Sequence, residues 1–389
     1  MVMENFVFDL SLLLVGAAVL ASLAVALKQP VILAYILCGV LVGPGGLGWV
    51  SDLHFIESIS HLGITLLLFL AGLCLHPQKL VHLFRKTSLV TIVNCGVSFL
   101  MAIVFALVLR FSLLDSVCIA LALMFSSTIL VVKLLPTTRL HQQRMGAICI
   151  SILIMQDLLA IAVLAFIRCL GNTDGAMISF LSLSVKLTLF IGLLVAFEQF
   201  LLRKVMAYVD RLHEVLFILG LAWCFGIASV SNSLGLFYET GAFFAGVVLA
   251  RHRISLFLSE SLKPLRDFFL VLFFFSLGAQ LDLVTMKDII LPAVLLAVLF
   301  ILIKPLVFRQ MFIWMGEEKG FARETGIRLG QLSEFALLIA LLAFQSGHIS
   351  HKASQLIQLT TITTFIISSY IIVGKYPTPI GSTEKLIKD

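Results

Sequence analysis

An aspartate stands in the middle of one of the most apolar stretches of this chain, ICISILIMQDLLAIAVLAF. Asp157 lies about eleven residues into that run, roughly 16 Å along a helix rising about 1.5 Å per residue, in a hydrocarbon layer about 30 Å thick. An ionisable side chain there costs at least about 2.5 to 3.5 kcal/mol on insertion scales, so its presence asks for a reason. One reason is structural, a carboxylate bonded to a neighbouring helix. The other is chemical: a desolvated carboxylate takes a proton or a metal cation with comparable ease, which makes the two ligands competitors. Gln156 offers a neutral oxygen beside it.

Lys304 is the second intramembrane charge, and the proline that follows it removes a backbone donor and predicts a kink at Pro305. Asp157 is its natural partner, since desolvating both charges unpaired would be prohibitive. The competing reading is a lysine that snorkels toward the surface near Arg309. Two polar clusters interrupt other apolar runs: Phe125 to Thr128 (FSST) and Gly330 to Phe335 (GQLSEF). Ser126, Ser127, Thr128, Ser333 and Glu334 could satisfy backbone groups freed by unwound helix and hold ions there. Serine and threonine also serve as helix-packing glue, and Glu334 also reads as a buried structural acid.

These residues need membrane-spanning helices to carry them. The chain has 389 residues, 60% of them apolar and 12% charged, with a mean hydropathy of +1.12. A soluble globular fold is excluded, because no interior of this size hides so much apolar surface. With about 20 residues per crossing, the apolar runs number thirteen: roughly 7–27, 30–47, 59–76, 88–109, 114–135, 146–167, 176–201, 215–230, 234–250, 265–281, 289–312, 324–346 and 354–374. Met1 to Phe6 holds Glu4 and no basic residue, so the first run reads as a mature span and not a cleaved signal.

Of the 27 Lys and Arg, only Arg110, Arg168, Lys287 and Lys352 fall in loops on one side, and only Lys186 and Lys304 fall inside spans away from their soft ends. The rest share the other side, which the positive-inside rule makes cytoplasmic. The N-terminus is then expected outside and the C-terminus inside, with residues 375–389 expected as a short cytoplasmic tail and no soluble domain expected after it. The basic residues are scattered, so no nucleic-acid surface is expected. The seven cysteines, Cys74 among them, show no CxxC or metal spacing and read as small core residues. The histidines, including His76, His141 and His252, fall in loops or at span ends. No HExxH, GxSxG or P-loop occurs, so neither enzymatic chemistry nor a resident cofactor is expected.

An internal similarity aligns Gly39 with Gly246 at an offset of 207 residues, and Phe69 and Gly72 with Phe275 and Gly278 at 206. It lays spans two and three over nine and ten, a shift of seven spans. An odd shift inverts the second copy, which is the pattern of secondary transporters.

The ordered set AYILCGVLVGPGGLG (34–48), LLLFLAGLCLHPQKL (66–80), QD at 156–157, GAFFAGVVLA (241–250), LFFFSLGAQLDL (272–283), Lys304 and SEF (333–335) resembles the monovalent cation:proton antiporter-2 family, the Kef-type antiporters and their relatives. The resemblance implies an all-α polytopic membrane protein with thirteen transmembrane helices, an inverted-topology repeat and crossed broken helices at spans five and twelve. Within an antiporter domain at 1–374, spans 1–3 and 8–10 would form a homodimeric scaffold. Spans 4–6 and 11–13 would form a moving core, and span seven the linker. Asp157 would be the shared carboxylate for H⁺ and a transported Na⁺ or K⁺, and Lys304 its ion-pair partner. The implied location is the plasma (inner) membrane, with lipid around the spans. Potassium-efflux members carry a nucleotide-binding domain after the spans that this sequence does not show. Some sodium members have two adjacent aspartates where Gln156 and Asp157 stand, which leaves one acid and favours one-for-one exchange. The rival readings are a sodium-coupled organic-anion symporter of related fold, and a channel or membrane sensor gated by Asp157.

Overall fold

The computed structural model describes residues 2–27, 29, 31–50, 53–73, 77–135, 144–169, 176–202, 204–205, 213–250, 254–281 and 285–378. Cys74, His76, His141, His252 and the tail from 379 onward lie outside the described residues. Regular structure among the described residues is helical. The α-helices are α1 (Val2–Ala26), α2 (Val31–Val42), α3 (Leu53–Leu73), α4 (Pro77–Val108), α5 (Leu113–Leu123), α6 (Thr128–Leu134), α7 (Arg144–Cys169) and α8 (Ala176–Phe197). They continue as α9 (His213–Ser233), α10 (Tyr238–Leu249), α11 (Ile254–Ser261), α12 (Lys263–Ala279), α13 (Ile290–Trp314), α14 (Lys319–Arg328), α15 (Glu334–Gln345) and α16 (His351–Lys375). Helices close every backbone hydrogen bond within themselves, which is why an apolar chain in lipid adopts them. Among the described residues six helices, α1, α4, α7, α9, α13 and α16, contain stretches long and apolar enough to cross a membrane. Large apolar side chains such as Val19, Val104, Ile218 and Leu295 stand on their outer faces.

The chain divides into two compact units. The first comprises Met1–Ser22, Ala34–Leu80 and Arg168–Gln280. Within it α3 packs against both α10 and α12, and α9 lies on α10, where the Trp223 indole donates to the Ala245 carbonyl at 3.1 Å. Two helix crossings in this unit are built on facing glycines. A Cβ on Gly39 of α2 would strike the Phe275 carbonyl of α12, and one on Gly278 of α12 would strike the Ile36 carbonyl of α2. At the other crossing, a Cβ on Gly72 of α3 would strike the Phe243 carbonyl of α10, and one on Gly246 of α10 the Phe69 carbonyl of α3. Only hydrogen at these four Cα atoms lets the backbones approach so closely. The offsets of 207 and 206 residues convert one crossing into the other, taking Gly39 to Gly246 and Gly72 to Gly278.

The second unit comprises Leu23–Leu33, Val81–Ile167 and Leu281–Asp389. Here α13 packs on α14 and α16, while α15 packs on α16 and α5. Val90, Cys149, Ile152, Leu153, Phe308, Phe312 and Leu329 form part of an apolar core. Two of the apolar runs are interrupted in this unit: residues 124–127 separate α5 from α6, and residues 329–333 separate α14 from α15. The local cause is side-chain competition for the backbone. The Ser127 hydroxyl accepts from Leu130 N–H at 3.0 Å and starts α6; the Ser333 hydroxyl accepts from Phe335 N–H at 3.1 Å and starts α15.

Helix α16 supplies further partners from a buried stripe that includes Thr360, Thr361, Thr364, Ser368 and Ser369. The Thr364 hydroxyl accepts from Leu332 N–H at 3.2 Å, and the Ser368 hydroxyl donates to Gln331 Oε1 at 3.1 Å. Helix α13 runs through Pro305 without interruption. Glycines let α14 seat against that turn, since a Cβ on Gly326 would lie 2.7 Å from the Pro305 carbonyl oxygen.

Candidate functional site

Asp157 is presented from α7 into the second unit with 3% of its surface exposed. Both of its oxygens face one hydroxyl: Thr128 Oγ1 donates from 3.3 Å to Oδ1 and from 3.2 Å to Oδ2. Thr128 opens α6, so the break between α5 and α6 places that hydroxyl. An ionised carboxylate has about four acceptor positions, and one long, shared hydrogen bond fills few of them. Among the described residues no backbone N–H bonds to this carboxylate. Its chemistry is that of an acid held away from water with oxygens to spare.

Gln156, the preceding residue on α7, turns to the same break. Its Oε1 accepts from Ser126 N–H at 2.8 Å, and its Nε2 faces Cys95 Sγ at 3.6 Å. The amide therefore holds the unwound strand of chain by one of the N–H groups that helix loss left open. The Ser126 hydroxyl is buried and, among the described residues, has no hydrogen-bond partner. Ser127, as above, caps α6.

Lys304 reaches this break from α13. Its Nζ donates to the Phe125 carbonyl at 2.7 Å and lies 6.0 Å from the Phe300 ring centroid. The expected ion pair with Asp157 is not formed: among the described residues no Lys304–Asp157 contact falls within 4.0 Å. The physical reason lies in the break. A carbonyl released from helix needs a donor as badly as a buried ammonium needs an acceptor, and Phe125 lies beside Lys304. The snorkelling alternative is also set aside, as Lys304 is 1% exposed.

Glu334 opens α15 at the second break. Ser333 serves as the N-cap and spends its hydroxyl on Phe335 N–H. Of the residues singled out in the sequence, Asp157, Gln156, Ser126, Ser127, Thr128 and Lys304 thus meet at the first break. Glu334 and Ser333 stand at the second, where Ser333 caps α15.

Sequence reasoning missed three contributors. Asn94 of α4 is fully buried and donates from Nδ2 to the Lys304 carbonyl at 3.3 Å. Cys95 meets Gln156. An asparagine inside TIVNCGV was a readable signal of a polar contact in lipid; the cysteine gave none. Arg328, which charge sorting assigns to a loop, is 1% exposed. It bonds the Leu134 carbonyl at the end of α6 at 3.0 Å, the Pro377 carbonyl at 2.9 Å and the Glu324 carboxylate at 2.9 Å.

Comparison with known proteins places this geometry in context. Residues 10–373 match the family described as sodium/hydrogen exchanger, transmembrane. The chain is 31% identical over 345 residues to the glutathione-regulated potassium-efflux system protein KefC of Klebsiella pneumoniae strain 342, covering 87% of this chain and 55% of that protein. KefC from Klebsiella pneumoniae subsp. pneumoniae is 30% identical over the same length, with the same coverage. The chain therefore spans about 55% of the length of the curated relatives it matches. Among solved structures, the sodium proton antiporter MjNhaP1 from Methanocaldococcus jannaschii at pH 8 superposes with a TM-score of 0.71 over 95% of each chain at 16% identity. At that identity the likeness is one of fold.

Proposed function

Because the chain belongs to the sodium/hydrogen exchanger transmembrane family, a family of transporters and not enzymes, we propose that it exchanges a monovalent cation, Na⁺ or K⁺, for H⁺ across the membrane. The observation that carries this reading is the under-bonded carboxylate of Asp157, buried beside a helix break and touched by the Thr128 hydroxyl alone among the described residues. A carboxylate tied to peptide N–H groups would be a structural anchor. This one keeps oxygens for a cation, and the unpartnered Ser126 hydroxyl and the Glu334 carboxylate are candidates to add to its shell.

Exchange follows from charge. The acid crosses between access states carrying either H⁺ or a cation, since moving it bare would bring the desolvation cost of an uncompensated charge. Gln156 and Lys304 act on the break: one holds the Ser126 N–H, the other the Phe125 carbonyl, and together they fix the loop that places Thr128. In this reading the second unit is the moving core and the first the scaffold, which would assemble as a homodimer. The Lys and Arg distribution supports an N-terminus outside and a C-terminus inside, and the proposed location is the plasma (inner) membrane. The two interchanged glycine crossings support an inverted repeat.

The test is cation-induced collapse of a proton gradient in everted vesicles. Asp157→Asn should abolish it for Na⁺ and K⁺ alike, and wild-type exchange by that variant would reject the assignment.

A further inference from the structure

The second unit contains a cavity of about 270 Å³ between α13, α14 and α16, and Asp157 is not among the residues that line it. Its lining is largely apolar, and three cations stand among the residues around it. Ile301, Leu302, Pro305 and Leu306 of α13 and Ile371 of α16 make one wall apolar, and Leu302 and Leu306 are 58% and 56% exposed. In a membrane protein, aliphatic side chains so placed on a spanning helix face hydrocarbon. Arg309, Arg323 and Lys375 line the same cavity. All three are exposed, and none has a carboxylate partner within 4.0 Å among the described residues. The acid next to Arg323, Glu324, is already bonded by Arg328, so it leaves the positive charge of the cavity largely uncancelled.

A soluble anion would use the three cations and gain nothing from the aliphatic wall. A neutral lipid would use the wall and leave the cations idle. A zwitterionic lipid would bring its own ammonium against them. The combination of an apolar face open to hydrocarbon and three exposed cations beside it matches a single amphiphile, a phosphodiester bearing acyl chains and a net negative charge. We propose that this cavity binds one anionic phospholipid, with its phosphate between Arg309, Arg323 and Lys375 and an acyl chain along Leu302 and Leu306.

The position gives the lipid leverage on the site. Pro305, next to Lys304, and Gly330, in the break before α15, both line the cavity. A Cβ on Gly330 would lie 2.5 Å from Pro305 Cγ, so the cavity is bounded by a close approach of α13 to that break. An occupant there packs against both the helix that carries Lys304 and the segment that leads to Glu334.

The experiment is native mass spectrometry of the full chain in detergent, titrated with dioleoylphosphatidylglycerol, dioleoylphosphatidylcholine, glycerol 3-phosphate or inorganic phosphate. One phosphatidylglycerol adduct should form at tenfold or lower concentration than the phosphatidylcholine adduct. The triple variant Arg309→Gln, Arg323→Gln, Lys375→Gln should lose that preference, whereas Lys287→Gln with Lys352→Gln keeps it. Leu306→Trp, which fills the cavity and keeps every cation, should weaken the adduct as well. Equal binding of both lipids, an unchanged preference in the triple variant, or displacement of the lipid by millimolar phosphate or glycerol 3-phosphate would each overturn the proposal, the last by assigning the cleft to a free phosphate. Adduct formation is read independently of transport, so it stands or falls separately from cation exchange.

Discussion

The ammonium of Lys304 donates a 2.7 Å hydrogen bond to the carbonyl oxygen of Phe125, joining the middle of α13 to the unwound segment between α5 and α6. This bond makes the lysine a structural member of the break, and its worth can be isolated by two neutral replacements. Lys304→Met and Lys304→Gln both remove the buried charge and its desolvation cost, but only glutamine retains a donor. An orphaned buried carbonyl costs about 1 to 3 kcal/mol. The methionine variant should therefore unfold more easily than the glutamine variant by about that amount, measured by denaturation in detergent. Equal stability would mean the carbonyl finds another donor.

The same residue shows where sequence stopped being informative. Asp157, Gln156 and Lys304 were legible because each interrupts a long apolar run, and in lipid a polar group must have a purpose. The breaks were legible for a related reason, since FSST and GQLSEF gather groups that compete with helix. The lysine's partner was not legible, because it is a backbone oxygen and a carbonyl leaves no mark in the sequence. Thr364 and Ser368 read as helix glue, and only the fold reveals that they serve residues 331 and 332 on another segment. Arg328 lay at the soft edge of an apolar run, where a loop cation and a buried clamp look alike.

Thr128 tests whether the hydroxyl at Asp157 is part of the cation shell. Removing it in Thr128→Val takes away one hydrogen bond to the carboxylate and one oxygen beside it, a change of about 1 kcal/mol. The KM for Na⁺ or K⁺ in proteoliposomes should rise by roughly fivefold, at an energetic equivalent of about 1 kcal/mol. Thr128→Ser should stay close to the parent. An unchanged KM in the valine variant would place the hydroxyl outside the shell.

Arg328 closes the far end of α6 and binds the chain where it leaves α16. Its guanidinium forks between two carbonyls and a carboxylate, which a lysine's single ammonium cannot reproduce. Arg328→Ala leaves Glu324, the Leu134 carbonyl and the Pro377 carbonyl without it, and breaking a buried pair from one side costs about 3 to 5 kcal/mol. The alanine variant should melt well below the parent, and Arg328→Lys should regain only part of the loss. The discriminating experiment is the double variant with Glu324→Gln. If the loss comes from the carboxylate deprived of this guanidinium, the double variant should be more stable than Arg328→Ala alone; if stability is unchanged, the two carbonyls carry the penalty.

The glycine crossings of the first unit yield a prediction in which one methyl group decides the outcome. Alanine is the better helix former by about 0.5 to 1 kcal/mol in a helix interior, so Gly→Ala should help wherever space allows. At Gly226 of α9 nothing lies within 4 Å of the added carbon, and the substitution there should be neutral or stabilising. At Gly246 the same carbon would enter the Phe69 carbonyl of α3, which is helix backbone and cannot rotate away. Relief requires α3 and α10 to separate, which gives up contacts along both helices. Overpacking of this kind costs about 1 to 3 kcal/mol, outweighing the propensity gain. The opposite signs of Gly226→Ala and Gly246→Ala in thermal melts are the expected result. Since Gly72 faces Gly246 across the same contact, combining Gly72→Ala with Gly246→Ala should add less than the sum of the two, because the first separation already makes room for the second methyl.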